Sequence, residues 1–324
     1  MKRFKSFLAE QMEDFITYRF QLGYSNTSMM YGLRVLDRYV SEKQVTWTSF
    51  DPLFFIRFRA ELNLEPRSIN TIFRMLKIFF NYLIRKDVIL ENPLHEITEL
   101  QENLVIPFIF SPEETDRFLK AAVKSIRTSQ RFYVSDFSAY IAFLLMARCG
   151  LRTSETLNLL KTYYRPEERT IYIEKTKFRK DRLIPIPKAV AYEINNLLKV
   201  RRLFPDEDDS PFLLVKVKGK KLVRMFINRR FKQALTDINL DHSRKIIGTT
   251  NFSQPSHHSL RHSFAVNTLK RIKQQGKSCQ NALPVLAAYM GHSKYKYTTY
   301  YLKVLDAEHR RQLFDFSRSK SEGA

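Results

Sequence analysis

The sequence predicts a mainly α-helical fold with a small antiparallel β-sheet, divided between two domains. Long segments with apolar residues spaced three and four apart fill most of the chain, as expected for amphipathic helices. Alternation with a period of two is confined to residues 170–187 and 212–223, which predicts β-hairpins there. The length of 324 residues fits two domains, and 44% hydrophobic with 27% charged residues is typical of folded proteins.

Four helices are predicted within residues 1–100, and the fourth, at 67–87, has the clearest pattern. Its apolar residues recur at helical spacing and define one buried face, whereas the lysines and arginines between them are free to face outward. These apolar residues are Ile69, Ile72, Phe73, Leu76, Phe79, Phe80 and Leu83. The three preceding helices are predicted at 8–23, 26–43 and 52–62.

A boundary between the domains is predicted where the helical period is lost, after Asn92-Pro93. The next helix begins at Ser111, because Ser111, Pro112 and Glu114 form a capping pattern. The predicted organisation is a helical domain at 1–100, a linker at 101–110, and a second domain at 111–324 that ends in a tail at 306–324.

The second domain is predicted to mix helices with the two hairpins. Two helices come first, at 111–127 and 135–149, and Gly150 ends the second of them. The first hairpin turns within a basic segment, and the second turns around Gly219. Further helices are predicted at 224–238, 258–272, 282–290 and 306–317.

Positive charge is concentrated in the second domain. The chain has a formal net charge of +22; residues 1–104 carry 14 basic and 13 acidic residues, whereas residues 105–324 carry 41 and 20. Such a field attracts polyanions, because each Lys or Arg placed on a phosphate releases condensed counterions. Nucleic acid is the partner that this charge favours, with a generally basic surface lacking a specific ligand as the alternative. No amphipathic helix with a segregated basic face points to a membrane surface.

Several other classes of protein are disfavoured. Two cysteines, Cys149 and Cys279, cannot form a disulfide framework in a chain of this length, which favours a reducing compartment. The longest apolar run, 140–147, is far shorter than the ~18 residues of a membrane span, and the N-terminus lacks a secretory signal. We therefore expect a cytoplasmic protein. The sequence contains neither a P-loop nor a GxGxxG motif.

His258 and His262 are four residues apart on a predicted helix, a spacing also found in metal sites. A third ligand is missing from the sequence pattern, and there is no HExxH motif, paired CxxC or carboxylate cluster. Surface histidines or satisfied core histidines are the other interpretations of this pair. The sequence thus predicts no metal site.

Four short stretches could carry chemistry, at 149–155, 174–182, 257–265 and 289–301. Taken together and in this order, they resemble the motifs of the tyrosine recombinase (phage integrase) family, whose members cut and rejoin DNA. The matching residues are Gly150-Leu151-Arg152-Thr153-Ser154-Glu155, Lys177 in the first hairpin, His258-Ser259-Leu260-Arg261-His262, Gly291-His292-Ser293, and Tyr301. The resemblance spans residues 111–305 and extends, less strongly, to a helical core-binding domain.

The resemblance implies a specific fold and activity. It implies a helical core-binding (SAM-like) DNA-binding domain at 1–100 and a mixed α/β catalytic domain at 111–324. It also implies a site-specific DNA recombinase or integrase that acts on double-stranded DNA through a covalent 3′-phosphotyrosine, with neither metal nor ATP. It further implies a homotetramer on two DNA sites. The implied additional partners are accessory DNA-bending proteins or a partner recombinase. Integration, excision, transposition of a mobile genetic element and dimer resolution all stay open.

The chemistry of phosphodiester cleavage agrees with two of the matched residue types. Attack on a phosphodiester builds negative charge on its nonbridging oxygens, so a metal-free enzyme needs fixed cations there. Arg152 and Arg261 are the predicted phosphate clamps, because guanidinium donates paired hydrogen bonds and stays protonated. Tyr301 is the predicted nucleophile; its phenol has an ordinary pKa near 10 and needs a base, for which His258 is the candidate.

The remaining roles follow from the resemblance. Lys177 is expected to protonate the departing 5′-oxygen, with Lys175 as the rival. His292 is expected to donate a hydrogen bond to a nonbridging oxygen. Glu155 is expected to orient the site, with an ordinary acid on a helix surface as the alternative.

Tyr300 and Tyr301 are adjacent, so the nucleophile has to be chosen. Tyr301 stands nine residues after His292, which is the family spacing. Thr298 and Thr299 lie one position later than in many relatives, which is a departure from the pattern.

The tail at 306–324 carries Leu313, Phe314 and Phe316. It is expected either to pack on its own domain or to dock on a neighbouring subunit, as the family resemblance implies. Two alternative functions are a type IB topoisomerase and a non-catalytic DNA-binding regulator.

Overall fold

The computed structural model of the protein describes residues 4–43, 45–174, 181–292, 298–299 and 301–302. The chain divides into two compact units, Met1–Leu104 and Val105–Ala324. Most of the described residues are helical, and the strands form small sheets with antiparallel hairpins, which confirms the predicted fold class. The division falls inside the segment predicted as the linker.

The first unit contains four α-helices, each close to its predicted position. They are α1 (Ala9–Gln21), α2 (Thr27–Lys43), α3 (Pro52–Glu61) and α4 (Pro66–Arg85). The seven apolar residues predicted to share a face of α4 are all buried. Clustered aromatic rings, including Phe50, Phe55 and Phe80, complete this core. The unit is therefore built around the apolar face of α4, as its spacing predicts.

The chain after α4 returns along that helix and neutralises part of its charge. Asn70 of α4 is buried, and its side chain both donates to the carbonyl of Leu100 and accepts the N–H of Leu100, each at 2.8 Å. Arg74 forms ion pairs with Glu99 and Glu102 at 2.5 Å and 3.1 Å. The balanced charge of residues 1–104 thus includes basic side chains that are already paired within the unit.

The second unit contains eight further helices among its described residues. They are α5 (Pro112–Lys124), α6 (Gln130–Cys149), α7 (Thr153–Leu157), α8 (Lys188–Arg201), α9 (Pro205–Asp208), α10 (Arg224–Asp237), α11 (His257–Gln274) and α12 (Cys279–Met290). The predicted capping box begins α5, where Ser111 accepts the N–H of Glu114 and Glu114 accepts the N–H of Ser111.

Three small sheets accompany these helices. The strands are β1 (Leu104–Ile106), β2 (Tyr164–Arg165), β3 (Thr170–Ile173), β4 (Arg182–Pro185), β5 (Val215–Lys216), β6 (Lys220–Lys221), β7 (Lys245–Ile247) and β8 (Thr250–Phe252). The sheet orders are β2-β3-β4, β5-β6 and β1-β8-β7. Both predicted hairpins are confirmed: β3 pairs antiparallel with β4, and β5 with β6. The tip of the first hairpin, 175–180, lies outside the described residues.

Helix α6 lies at the centre of the second unit, packed against α5, α8 and α11. By length and composition it could cross a membrane, but 78% of its apolar window is buried inside the protein. Burial on nearly all sides explains its continuous apolar sequence. The helix ends at Gly150, whose φ of 61° is left-handed; a Cβ there would lie 2.5 Å from Phe264, so glycine is required.

Several features of the second unit differ from the predictions, including the short helix α9 and the strand pair β7 and β8, which were not predicted. Helix α6 begins at Gln130, five residues before the predicted start at 135. The prediction missed its first turn because that turn is more polar than the rest of the helix. Helix α8 was not predicted, although its buried residues Val190, Ala191, Ile194 and Leu197 follow the helical period after Pro187. The helical period of α8 is hard to recognise in the sequence, because two asparagines interrupt it and charged residues flank it.

Candidate active site

Arg152 is positioned by the turn that joins α6 to α7. Gly150 reverses the chain at the end of α6, and Arg152 then occupies the residue before the first turn of α7. The backbone N–H of Arg152 donates to Oε2 of Glu155 at 2.9 Å, and its Nη1 donates to Oε1 at 2.6 Å. Its Nη2 donates to the carbonyl of Gly291 at 2.7 Å. Arg152 is therefore fixed at both its backbone and its side chain.

Glu155 is buried between two arginines rather than exposed on a helix surface. Arg182 of β4 donates to both of its carboxylate oxygens, at 3.1 Å and 3.0 Å, in addition to the contacts from Arg152. Burial raises the pKa of Glu155, but the hydrogen bonds and charges of Arg182 and Arg152 outweigh that effect and lower the pKa to about 2. The carboxylate is ionised at neutral pH and holds the two guanidinium groups together.

Arg261 lies beside this cluster and is almost completely buried, at 1% exposure. It belongs to α11, and its guanidinium donates to the carbonyls of Gly150 and Met290. Burial, together with the charge of Arg152, lowers the pKa of Arg261 to about 10, so the group keeps its proton at neutral pH. Arg152 and Arg261 hold the adjacent carbonyls of residues 291 and 290, which brings the two predicted phosphate clamps to one place.

A cavity of about 570 Å³ opens beside Arg152. Its lining includes Arg152 and His258, together with Lys221 at the end of β6 and Arg224 at the start of α10. His258 is exposed to this cavity, yet the surrounding protein and the charges of Arg261, His257 and Arg152 lower its pKa to about 4. A cavity lined by this many cations is suited to an anion such as a phosphate.

Helices α7 and α11 are also joined behind the cavity. His257 is buried, and its Nδ1 lies 2.7 Å from the hydroxyl of Thr153. Arg261 also links α11 to the segment just before α7, because its guanidinium donates to the carbonyl of Gly150. These contacts keep the start of α11, with His258, next to Arg152.

Tyr301 approaches the same cluster from the segment that follows α12. Its side chain is 3% exposed and packs with an apolar group that includes Val266, Leu269 and Met290. The phenol Oη lies 3.2 Å from Nδ1 of His262. The phenol of Tyr301 is thus docked beside α11 by both apolar packing and a hydrogen bond.

His292 stacks against Tyr301 on another side, with ring centroids 6.1 Å apart and an interplanar angle of 24°. Its Nδ1 lies 2.7 Å from the hydroxyl of Thr298, which is completely buried. Burial and then the charges of Arg261 and Arg152 lower the pKa of His292 to about 4. His292 is neutral at pH 7 and remains a hydrogen-bonding group.

The structure brings together six residues of the predicted site and leaves others undescribed. The residues that meet are Arg152, Glu155, His258, Arg261, His292 and Tyr301. Lys177, its rival Lys175, Tyr300, Ser293 and the tail at 306–324 lie outside the described residues.

Two residues with close contacts in the site were not assigned a role from the sequence. Arg182 ends the stretch at 174–182 and received no role. His262 was weighed as a metal ligand, a surface histidine or a core histidine, and it matched the family motif without a part in the chemistry. The ionic partner of Arg182 lies on a distant helix, and His262 meets a residue 39 positions later, so local pattern carries no sign of either contact. Within the described part of the chain, no three His, Cys, Asp or Glu side chains are grouped as a metal site would require.

Known proteins of similar sequence match nearly the whole chain. The y4rE protein of Sinorhizobium fredii is 29% identical over 306 residues, covering 93% of each chain. The tyrosine recombinase XerA of Pyrococcus furiosus is 26% identical over 310 residues, covering 96% of this chain and 94% of XerA.

Solved structures share the fold. The XerH site-specific recombinase bound to its difH substrate matches with a TM-score of 0.63 and 20% identity, covering 85% of this chain and 76% of XerH. The Tn1549 transposon integrase in complex with transposon right end DNA matches with a TM-score of 0.63 and 20% identity, covering 93% of this chain and 98% of the integrase chain. The sequence model of the phage integrase family matches residues 110–308, well over half of the chain and the whole arginine, histidine and tyrosine cluster. The chain belongs to the phage integrase family.

Proposed function

We propose that the protein is a site-specific DNA recombinase that cuts and rejoins DNA strands through a covalent 3′-phosphotyrosine. The observation that carries this proposal is the convergence of Arg152, Arg261 and Tyr301, which are far apart in sequence. Two fixed guanidinium groups stabilise the charge that develops on a scissile phosphate, and a phenol beside them attacks the phosphorus. Membership of the phage integrase family supports the same chemistry.

Each residue of the cluster has a part in the proposed reaction. Arg152 and Arg261 hold the nonbridging oxygens, and His292 donates a further hydrogen bond to the phosphate. The proton of the Tyr301 phenol passes to a histidine of α11, for which the sequence names His258. Lys177 protonates the departing 5′-oxygen, and the strand is later rejoined by attack of a 5′-hydroxyl on the phosphotyrosine.

The proposed reaction needs neither a metal ion nor ATP. The arginines supply the positive charge that a metal would otherwise provide at the phosphate. The phosphotyrosine linkage keeps the energy of the broken phosphodiester, so rejoining requires no further energy source. We expect chelators to leave cleavage unchanged.

Double-stranded DNA and further copies of the chain are the proposed partners. The charge of the second part favours a polyanion. XerH was solved with difH DNA, and a lambda integrase tetramer was solved on a Holliday junction. By analogy we propose a homotetramer on two DNA sites, with 1–100 as the core-binding domain and 111–324 as the catalytic domain.

Further details of the assembly and setting are part of the proposal. The 306–324 tail would dock on a neighbouring protomer, and DNA-bending proteins or a partner recombinase would assist the assembly. The reaction would take place in the cytoplasm, where the protein would integrate or transpose a mobile element into the chromosome.

The test is the capture of a covalent complex on randomly nicked DNA. Purified protein is incubated with chromosomal fragments of its host that carry random nicks, because cleavage next to a nick releases a short strand and prevents rejoining. We expect DNA bound to the protein in the presence of SDS with the unmodified protein and with Tyr300→Phe, but not with Tyr301→Phe. Adducts at one recurring sequence support a recombinase.

Other outcomes of this experiment identify the alternatives. Adducts without a preferred sequence, together with relaxation of supercoiled DNA, would indicate a type IB topoisomerase. DNA binding without any adduct would indicate a non-catalytic DNA-binding regulator and would overturn the proposal.

A further inference from the structure

The phenol of Tyr301 meets a histidine that the sequence motif does not name as its base. Oη of Tyr301 lies 3.2 Å from Nδ1 of His262, one turn of α11 beyond His258. A distance of this size between a hydroxyl and a ring nitrogen is within the range in which hydrogen bonds form. His258, in contrast, is exposed to the cavity that Arg152 also lines. His262 therefore contacts the phenol, whereas His258 lines the cavity.

The meeting point of His262 and Tyr301 is shielded from water. Tyr301 is 3% exposed and His262 is half-buried. The ring of His262 packs edge-on against that of His258, with centroids 4.6 Å apart at an angle of 83°. A proton that leaves the phenol at this point has the imidazole of His262 directly beside it. Proton transfer between groups already in contact does not require solvent to enter the site.

His262 is in the charge state that a base requires. Burial first, and then the charges of His258, Arg261 and His292, lower its pKa to about 3, so its ring is neutral at pH 7. A neutral imidazole has one nitrogen that accepts a hydrogen bond, and in the Nε2–H tautomer that nitrogen is Nδ1. The phenol then donates its proton along the observed contact.

Binding of DNA would strengthen this base at the moment when it is needed. The low pKa of His262 arises partly from the positive charge of Arg261, which is a proposed phosphate ligand. A phosphate bound to that guanidinium brings a negative charge that offsets it, and the pKa of His262 rises toward its ordinary value. The tyrosine would thus be activated only when a phosphate occupies the site.

We propose that His262, rather than His258, accepts the phenolic proton of Tyr301, and that His258 contacts the phosphate. This inference rests on the proposed recombinase function. As Oη forms its bond to phosphorus, the proton of the phenol moves to Nδ1 of His262, giving an imidazolium. The bond from phosphorus to the 5′-oxygen breaks, and that oxygen leaves with the electron pair and receives a proton from Lys177. In rejoining, the imidazolium returns its proton to the phenolate oxygen.

The first part of the test uses His262→Asn. An asparagine amide reaches the position of Nδ1 and can keep a hydrogen bond to the phenol, but it cannot take up a proton. On a nicked duplex carrying the site recovered from the covalent complexes, we expect adduct formation to slow by about 100-fold or more, with DNA affinity unchanged. His242→Asn, at an exposed histidine of the same unit, is the matched control and should cleave normally.

The second part separates loss of a base from a merely structural defect. Replacing Tyr301 by a fluorinated tyrosine makes the phenol more acidic, so that it needs a base less. We expect this replacement to restore much of the rate in His262→Asn but not in His258→Asn, whose defect would lie at the phosphate. His262→Gln provides the same comparison if the asparagine variant does not fold.

Each result decides a different question. Normal cleavage by His262→Asn, or rescue of His258→Asn instead of His262→Asn, would overturn the assignment of the base. Absence of an adduct with the unmodified protein would instead overturn the proposed recombinase function.

Discussion

At the scale of single residues, Glu155 organises the positive charge of the site. Arg152 and Arg182 each donate to its carboxylate, and Nη1 of Arg261 lies 3.9 Å from it. Three guanidinium groups this close together would repel one another without an anion between them. A single buried carboxylate therefore helps to keep the two proposed phosphate ligands, Arg152 and Arg261, in place.

Removing either phosphate clamp should affect the rate far more than the binding of DNA. For Arg152→Ala and Arg261→Ala we expect adduct formation to slow by about 10²–10³-fold, because one donor to a developing oxyanion is typically worth that much. Many other phosphate contacts would maintain affinity. Adduct kinetics and equilibrium binding, measured on the same nicked duplex, check this. A loss of affinity as large as the loss of rate would show that the arginines act mainly in binding.

Stability should fall in mild acid because His262 is held neutral. Its pKa is about 3 in the folded protein, against an ordinary value of 6.5, and the groups that face it are His258, Arg261, His292 and Tyr301. The unfolded chain therefore takes up a proton below pH 6.5 that the folded protein does not. The free energy of unfolding is highest above pH 6.5 and falls by about 1–2 kcal/mol for this group by pH 5. Thermal denaturation of the protein and of His262→Asn at pH 7.5 and pH 5 measures this decrease in stability. An equal decrease in both proteins would contradict its attribution to His262.

At the scale of elements, the site is held together by contacts between segments that are distant in sequence. Arg182 at the start of β4 donates to the carbonyl of Tyr289 near the end of α12, in addition to Glu155. The turn after α12 passes close to the side chain of Arg182. A Cβ on Gly291, whose φ is 64°, would lie 2.6 Å from Nη1 of Arg182. The hairpin, α7 and the end of α12 are thus locked to one another through one side chain.

Arg182→Gln should consequently destabilise the protein and slow cleavage. The change leaves the buried Glu155 without one of its two main partners, and breaking a buried ion pair in this way costs about 3 kcal/mol. Arg165→Gln is the matched control, because Arg165, on strand β2 of the same sheet, forms an exposed ion pair with Glu168. We expect a clear decrease in Tm for Arg182→Gln alone. Equal decreases for both variants would contradict the role given to Arg182.

The elements differ in how well the sequence predicts them. Helix α4 and the two hairpins were predicted because their period is clear over many residues or is bounded by a recognisable turn. Helix α8 was missed within a basic stretch, and the pair β7 and β8 was missed because each strand has only three residues. Short strands carry too little pattern to be recognised locally.

The candidate site was predicted at the level of residues but not of contacts. The motif positions of Arg152, Arg261 and Tyr301 follow from resemblance to a family, and the fold brings these residues together. The contact of His262 with the phenol and that of Arg182 with Glu155 depend on the packing of distant elements. No spacing within a single segment could have indicated either one.

At the scale of the whole molecule, the charge is distributed unequally along the chain. Residues 105–324 carry most of the net charge of +22, whereas residues 1–104 are nearly balanced. The second unit also contains the cavity lined by Arg152, Lys221 and Arg224. The charge that would attract DNA and the cavity proposed to bind phosphate therefore belong to the same unit.

DNA binding should weaken steeply as salt increases. If the complex neutralises about 6–10 phosphates, affinity should decrease by about 10³–10⁵-fold between 50 and 200 mM salt. Titrations of a duplex at several salt concentrations give the slope of log affinity against log salt. A slope near zero would contradict binding dominated by phosphate contacts.

The covalent mechanism is tested by identifying the amino acid that carries DNA in the trapped complex. Nuclease and protease digestion of that complex, followed by mass spectrometry, locates the residue that bears the remaining nucleotide. We expect a 3′-phosphate linked to the phenol oxygen of Tyr301, and a much lower yield of that linkage at the same reaction time when Arg261 is replaced by alanine. A nucleotide linked to Tyr300 or to any other side chain would contradict it.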